Sequence, residues 1–453
     1  MTALFLARAL VTPRGLWDGG AHGIAIACDA NGRISAIGPA AETRLAAPTA
    51  RATDYSDLIL LPGLVNAHTH SFQTLLRGIT DDRPFSEWRD LYYRLTPTLS
   101  PSEIYDGALL TFAEMLLRGV TTVCDFFPIH HGGIEYDHAV LRAARHLGIR
   151  CTLARSLIDS PRPPAAYQES VEQAIANTRA LAADLQGNPL LRVLPAPHSP
   201  HNCSPEMLRA AAALAEELDT PWHMHLAESS FDAEVIAQNY GMRPLPWLGS
   251  LGLLSERTRI VHGIQLTPEE IARLGACGSG LIYCPSSNMF LGHGFVDLPR
   301  YREAGVRIAL GSDGANSNNR AGIFDEMRMA VLAQRNAPHN GRAPDAREVF
   351  AMGTEGGAAA LGLHVGALEV GRPADFIAID PQDLSLQPPT DLLRNLIYSF
   401  DSSAVRNVVV NGIEVLRERV HIRGTANMHG LRGRLQKLIQ RWQREGLWEG
   451  PRG

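Results

Sequence analysis

The sequence runs to 453 residues with a formal net charge of −5 and 20% charged residues, an ordinary balance for a globular protein. That length predicts one large domain plus a smaller one. No basic run tracks a phosphate backbone and no window holds the ~18 apolar residues of a membrane helix, so neither nucleic acid nor a membrane is expected as a partner.

In chain order, residues 1–62 read as short strands, ALFLARALVTP and then GIAIACDANGRISAIGP. DANG marks a turn between alternating apolar runs, and no helix of useful length is expected. The N-terminus has too short an apolar stretch for a signal peptide. Six cysteines (Cys28, Cys124, Cys151, Cys203, Cys277, Cys284) lack CxxC spacing and read as reduced thiols. Both features point to a cytoplasmic protein.

Residues 63–364 alternate short apolar strands with helical stretches. GVTTVCDFF, IRCTLARSLI, LLRVLPAPHS, PWHMHLAE, RIVHGIQL, GSGLIYCP and VRIALGSDGA follow the first strand, LILLPGLVNAHTH. Alternating strand and helix predicts a parallel sheet, and about eight units in about 300 residues favour a closed (β/α)8 barrel. Strand patterns return at 365–424, in ADFIAIDP and VRNVVVNGIEVLRERV, with Asn411-Gly412 as a hairpin turn. The two strand-rich ends are expected to pair as one small β-domain. Residues 425–453 read as a basic amphipathic helix, expected to pack on the domain or on a subunit in preference to a membrane.

Chemistry-bearing residues sit at the C-terminal ends of the barrel strands, the face that carries active sites in such barrels. His68 and His70, two apart on an extended segment, point to the same side. Two such imidazoles are either half a metal site or a hydrogen-bonded core pair. His225 in HMHLAE offers a third imidazole. Glu228, three residues on, is placed to move protons beside a metal or simply to start a helix. His262 in RIVHG is a core histidine or a site residue. Asp313 in GSDGANSNN is a ligand, a base or a helix cap.

Together PGLVNAHTH, APHSPHNCS, HMHLAE, VHG, CPSSNMFLG, GSDGANSNN and VGRPADFIAID resemble the amidohydrolase superfamily, in its cytosine-deaminase-like, chlorohydrolase and guanine-deaminase branch. The resemblance implies a (β/α)8 barrel beside a small β-sandwich built from both termini. It implies one divalent metal, zinc ahead of iron, bound by His68, His70, His225 and Asp313. Glu228 would shuttle the proton, and His262 would polarise or orient the water or the substrate. The sole lysine, Lys437, lies in the C-terminal helix, so a carboxylated lysine on a barrel strand cannot bridge two metals. A mononuclear site remains. Metal-assisted hydrolysis would then replace an amine on an sp2 carbon by a carbonyl, with Asp313 both ligating and assisting the water.

Substrate selection is assigned to loops. Gln73 suits a lactam or amidine edge. His198 stands where relatives place a substrate-contacting histidine. In RPFSEWRDLYYRLTP, Trp88 and Tyr93 would stack on a planar heterocycle, and Arg94 would pair with a carboxylate or carbonyl. The same segment could instead pack against a neighbouring subunit. HTHSFQ and WRDLYYR also resemble formiminoglutamate deiminases, where Gln73 and Arg94 match substrate residues. That family has an arginine at the position of His201 and a tyrosine near Pro128, so a substrate clamp is missing. The expectation is therefore a metal-dependent hydrolytic deaminase of a nitrogen heterocycle (purine, pterin, pyrimidine or s-triazine), releasing ammonia or an amine. Formiminoglutamate deiminase is the first alternative, and a dechlorinase or amidase the next. A non-catalytic barrel serving as a binding or assembly protein is the rival from another class. The partner is a small molecule, and a homo-oligomer, dimer or larger, is expected from relatives.

Overall fold

Alternating apolar residues at both ends of the chain build one sheet, and the strand–helix alternation between them builds two parallel ones. The computed structural model describes residues 2–12, 15–337 and 343–450. The N-terminal stretch supplies β1 (Ala3–Thr12), β2 (Gly15–Asp18), β3 (Ile24–Cys28), β4 (Ile34–Pro39) and β5 (Arg51–Pro62). One seven-residue helix, Ala40–Ala46, departs from the all-strand expectation. It rests over Leu4, Ala25 and Ala27, where the two alanines leave room for it.

The parallel strands are β6 (Leu64–His70), β7 (Val120–Phe127), β8 (Arg150–Leu157), β9 (Leu191–Pro197), β10 (Trp222–Leu226), β11 (Thr258–His262), β12 (Gly280–Tyr283), β13 (Arg307–Leu310) and β14 (Asp313–Gly314). They form two arcs, β14-β6-β7-β8-β9 and β10-β11-β12-β13. No ladder closes them into one sheet among the described residues. At one seam Pro195 and Pro197 of β9 lack the N–H that a neighbouring strand needs. The arcs still meet there through the His225 N–H, which donates to the His198 carbonyl at 3.0 Å. At the other seam the chain passes from β13 through two residues into β14, which pairs with β6 as Asp313 with Thr69 and Gly314 with His70.

At the C-terminal end lie β15 (Phe376–Ile379), β16 (Val405–Val410), β17 (Ile413–Arg417) and β18 (Val420–His421). β15 pairs antiparallel with β5, so both ends of the chain share one nine-stranded sheet, as the sequence led us to expect. Asn411 and Gly412 take φ of 51° and 73°, the left-handed pair a tight hairpin demands. Side chains alternate across this sheet. Leu60, Phe376, Ala378 and Val409 fill its own core, while Leu61, Ile377, Ile379 and Val408 face the main core under the parallel strands. Gly63 alone joins β5 to β6, and a Cβ there would meet the Thr121 side chain at 2.1 Å. The joint fixes how the histidine-bearing strand leaves the sheet.

The C-terminal segment is helical over Leu431–Arg444, buries Leu431, Leu438 and Trp442, and docks on the helix Pro101–Leu117. Trp442 Nε1 donates to Thr98 Oγ1 at 3.0 Å, and Arg434 and Arg441 pair with Asp106 and Glu103. Its apolar face is thus packed on its own chain. All six cysteines are free. No described helix is long and apolar enough to cross a membrane.

Candidate metal centre and active site

β6 carries His68 and His70 to its end on one side, with ring centroids 4.8 Å apart. His70 Nδ1 donates to the Phe126 carbonyl at 2.6 Å, and His225 Nδ1 donates to the His198 carbonyl at 2.9 Å. Each bond fixes a tautomer that leaves Nε2 with a lone pair facing the centre. His68 is fully buried, and neither of its ring nitrogens has a hydrogen-bond partner. An orphaned buried imidazole is costly unless something else takes its lone pair. Ligand atoms of His68, His70 and His225 lie within 4.8 Å of one another, and so do those of His68, His262 and Asp313. Three neutral imidazoles and a carboxylate converging in this way fit a divalent ion of the zinc type.

Asp313 Oδ1 stands 3.4 Å from His68 Nε2 and 3.3 Å from His70 Nε2. Its other oxygen accepts from Ser287 Oγ at 2.5 Å. Burial would raise this carboxyl, but the imidazoles of His68, His70 and His262 close beside it hold it well below its usual range. Burial dominates at the imidazoles. It lowers His70 to about 4 and His198 to about 3, and holds His225 well below its ordinary value. Neutral imidazoles and an ionised carboxylate are the forms that bind a cation.

Glu228 follows β10. Its Oε1 lies 3.2 Å from His293 Nδ1 and its Oε2 3.8 Å from His262 Nε2. Burial again pushes upward, and the charges of His262 and His293 win, holding Glu228 down to about 2. His262 goes the other way. Burial lowers it, but Glu228 and Asp313 raise it above its ordinary value. Its Nδ1 meets Asn288 Oδ1 at 2.8 Å. The backbone at this rim is strained. Ala227, His262 and Asp313 take φ of 54°, 74° and 57°, a left-handed region that such residues avoid. All three sit where a strand turns into a site loop, and the turn aims the side chain inward.

Above this floor lies a cavity of about 500 Å³. Its walls include Gln73, Trp88, Tyr93, His198 and His201, so four predicted substrate contacts line it. Phe85, Trp88 and Tyr92 recur on one face of the helix Phe85–Leu95 and stack in sequence, with centroids 5.7 and 5.5 Å apart. Trp88 Nε1 donates to the Asn316 carbonyl at 2.9 Å, which fixes the indole. Arg94 is a correction. It is exposed and does not line the cavity, because two residues beyond Tyr92 the helix has turned by about 200°. Arg89 and Arg162 are the arginines at the cavity. Pro128 lines it as well, where the tyrosine of the rival family was missing. Sequence reading overlooked Ser287, Asn288, His293 and Asp232. The first three lie in or just after CPSSNMFLG, a string noted for resemblance but not searched for polar partners.

A buried set of imidazoles and a carboxylate, with a second ionised carboxylate beside it at a cavity floor, is the site of a metal-dependent hydrolase. The amidohydrolase family profile matches residues 59–415, and the chain belongs to that family. It is 36% identical over 394 residues to the 5-methylthioadenosine/S-adenosylhomocysteine deaminase of Syntrophobacter fumaroxidans, covering 86% of this chain and 87% of that one. It is 34% identical over 400 residues to the enzyme of the same name from Pyrococcus furiosus, covering 87% and 91%. Among solved structures it is similar to an adenosine deaminase from Xanthomonas campestris with bound zinc, at TM-score 0.87 and 30% identity, covering 97% of this chain and 98% of that one. It is similar too to the atrazine chlorohydrolase of Arthrobacter aurescens complexed with zinc, at TM-score 0.88 and 26% identity, covering 96% and 100%.

Proposed function

We propose that this member of the amidohydrolase family hydrolyses the exocyclic amine of an adenine nucleoside, with 5′-thio-substituted adenosines as the preferred class. The observation that carries the reading is the convergence of His68, His70, His225 and Asp313 with Glu228 and His262 at one cavity floor. His68, His70, His225 and Asp313 are the residues that would hold one divalent ion, zinc ahead of iron. A bound ion of this kind lowers the pKa of water toward ~7 and so supplies a nucleophile at neutral pH.

The rest falls to the chain. Glu228, ionised, takes the proton of the attacking water and passes it to the ring nitrogen beside the carbon under attack. The same carboxylate then takes the remaining proton from the hydroxyl added to the carbon and gives it to the amine, which leaves as ammonia. A C–O bond forms, the C–N bond breaks, and the ring keeps a carbonyl. His262, steadied by Asn288, orients the water, and Asp313, steadied by Ser287, accepts a hydrogen bond from it. Trp88 and Tyr93 stack on the purine, while Gln73 and His198 read its edges. The cavity volume of about 500 Å³ accommodates a nucleoside with a 5′ substituent, and is roomy for a bare pyrimidine or triazine ring. The formiminoglutamate alternative loses support, since Arg94 faces solvent.

The two parallel arcs are read as one (β/α)8 barrel over 63–364. This is supported by the two bonds from His225 to the His198 carbonyl at one seam and the continuous chain at the other. The terminal sheet is read as a β-sandwich from 1–62 and 365–424. Bonds from Ile34 N to Arg372 O and from Ala374 N to Gly32 O, both 2.9 Å, bring its far edge back onto the strand leading into β15. The protein is taken to act in the cytoplasm as a homo-oligomer.

Ammonia release over adenosine, 5′-methylthioadenosine, S-adenosylhomocysteine, guanine and formiminoglutamate, with chloride release followed for a chloro-s-triazine, tests the reading. The adenosines should give the highest kcat/KM. A preference for any of the other three contradicts it.

A further inference from the structure

His198 closes β9 and lines the cavity beside His225, with ring centroids 4.9 Å apart. Its carbonyl holds His225 twice, accepting from the backbone N–H at 3.0 Å and from Nδ1 at 2.9 Å. Its own ring is held by neighbours on the same loop. Asn202 Nδ2 lies 3.3 Å from His198 Nδ1, and Ser199 Oγ lies 3.0 Å from the same atom. An amide nitrogen has only protons to offer. His198 Nδ1 is therefore the acceptor, and a neutral ring then carries its single proton on Nε2. Among the described residues no hydrogen bond engages Nε2.

The contacts continue behind the ring. Ser199 Oγ is 3.2 Å from His201 Nε2, His201 Nδ1 is 2.7 Å from Asp232 Oδ1, and Asp232 Oδ2 accepts from the Glu228 N–H at 3.2 Å. Ser199, Asn202 and Asp232 are 0%, 3% and 3% exposed, so water competes little for these bonds. His201 stands where the rival family carries an arginine. Here it turns to Asp232 and Ser199 and braces the loop.

We propose that Asn202 is a positioning group that fixes His198 as an Nε2–H donor into the cavity. The substrate edge at that wall must then carry a lone pair, an unprotonated ring nitrogen or a carbonyl oxygen, and an N–H edge is rejected. An adenine ring offers lone pairs at each of its unsubstituted ring nitrogens and meets the requirement. This inference rests on the adenine-nucleoside reading for its choice of substrate, but the state of His198 is a property of the protein alone.

The test uses the full-length zinc-loaded protein labelled with 15N-histidine. Long-range 15N–1H spectra report the tautomer of His198, assigned by its loss in a His198→Gln variant. The Nε2–H form is expected in the wild type. Asn202→Asp replaces the donor by an acceptor of the same shape. It should move the proton to Nδ1 and lower kcat/KM for 5′-methylthioadenosine by about tenfold or more, the scale of one mismatched buried hydrogen bond, with metal content unchanged. Wild-type His198 in the Nδ1–H form overturns the proposal, and so does an Asn202→Asp protein with unchanged tautomer and kcat/KM. The wild-type spectrum needs neither a variant nor a substrate, so a failed substrate panel leaves it decisive.

Discussion

Glu228→Gln keeps the shape of the side chain and removes its basicity. In the wild type Oε1 lies 3.2 Å from His293 Nδ1 and Oε2 lies 3.8 Å from His262 Nε2. Burial works against the charge, yet the two histidines keep the carboxyl at about 2. The group is therefore ionised throughout the neutral range and able to take a proton. An amide oxygen cannot. General acid–base catalysis is worth about 10²–10⁴, and Glu228 acts on both the water and the amine, so kcat should fall by about 10³. That is on the order of 4 kcal/mol in the barrier. Glu228 contributes to neither ligand cluster, so the metal content should not change. The assay is ammonia release at saturating 5′-methylthioadenosine, with metal per chain measured on the same sample. A fully metallated variant turning over within about tenfold of wild type would refute the assigned proton shuttle.

Trp88→Ala removes a stacking face of the cavity. The loss of about 1 kcal/mol of ring contact should appear as a KM raised about fivefold or more, with kcat changed less. Arg94→Ala should leave kcat/KM within about twofold, because an exposed side chain away from the cavity makes no contact to lose. An effect above tenfold in that variant would revive the formiminoglutamate reading. Glu326 is fully buried, and burial raises its carboxyl to about 8 against the bonds from Ser286 and Asn318 that favour the charge. Its folded pKa lies above its unfolded one, so the wild type loses stability as pH rises from about 4.5 toward 8 and no further above that. Glu326→Gln should gain on wild type between pH 5 and pH 9 by on the order of 1–4 kcal/mol in denaturant melts. Parallel curves for the two proteins would show the carboxyl to be uncharged, or equally charged, in both states.

The site was legible where chemistry sits at regular places in the chain. His68, His70, His225 and His262 lie at or near the ends of apolar strands and Asp313 just beyond β13, so strand patterning made them candidates on one face, and the family resemblance joined them into one ligand set. Glu228 followed from its distance to His225. The partners were hidden. Ser287 and Asn288 come from the short helix Pro285–Phe290 after β12, His293 from the loop beyond it, and Asp232 from the first turn of the helix Ser230–Tyr240 after β10, and no apolar periodicity marks which of these polar side chains turn inward. Arg94 shows the converse limit, since it was assigned to the substrate by residue type and family resemblance, and the helix Phe85–Leu95 turns it to solvent. The pairing of the terminal strands was readable because both ends alternate apolar and polar residues around hairpin turns. The helix Ala40–Ala46 was not, because seven residues of AAETRLA carry too little pattern to stand out.

Metal titration tests the central claim most directly. Protein stripped by a chelator should be inactive on 5′-methylthioadenosine. Added zinc should restore ammonia release in proportion, saturating at one ion per chain, and His225→Ala should need far more zinc to reach any activity. Turnover by the stripped protein, or saturation only at two ions per chain, would contradict a single metal held by His68, His70, His225 and Asp313.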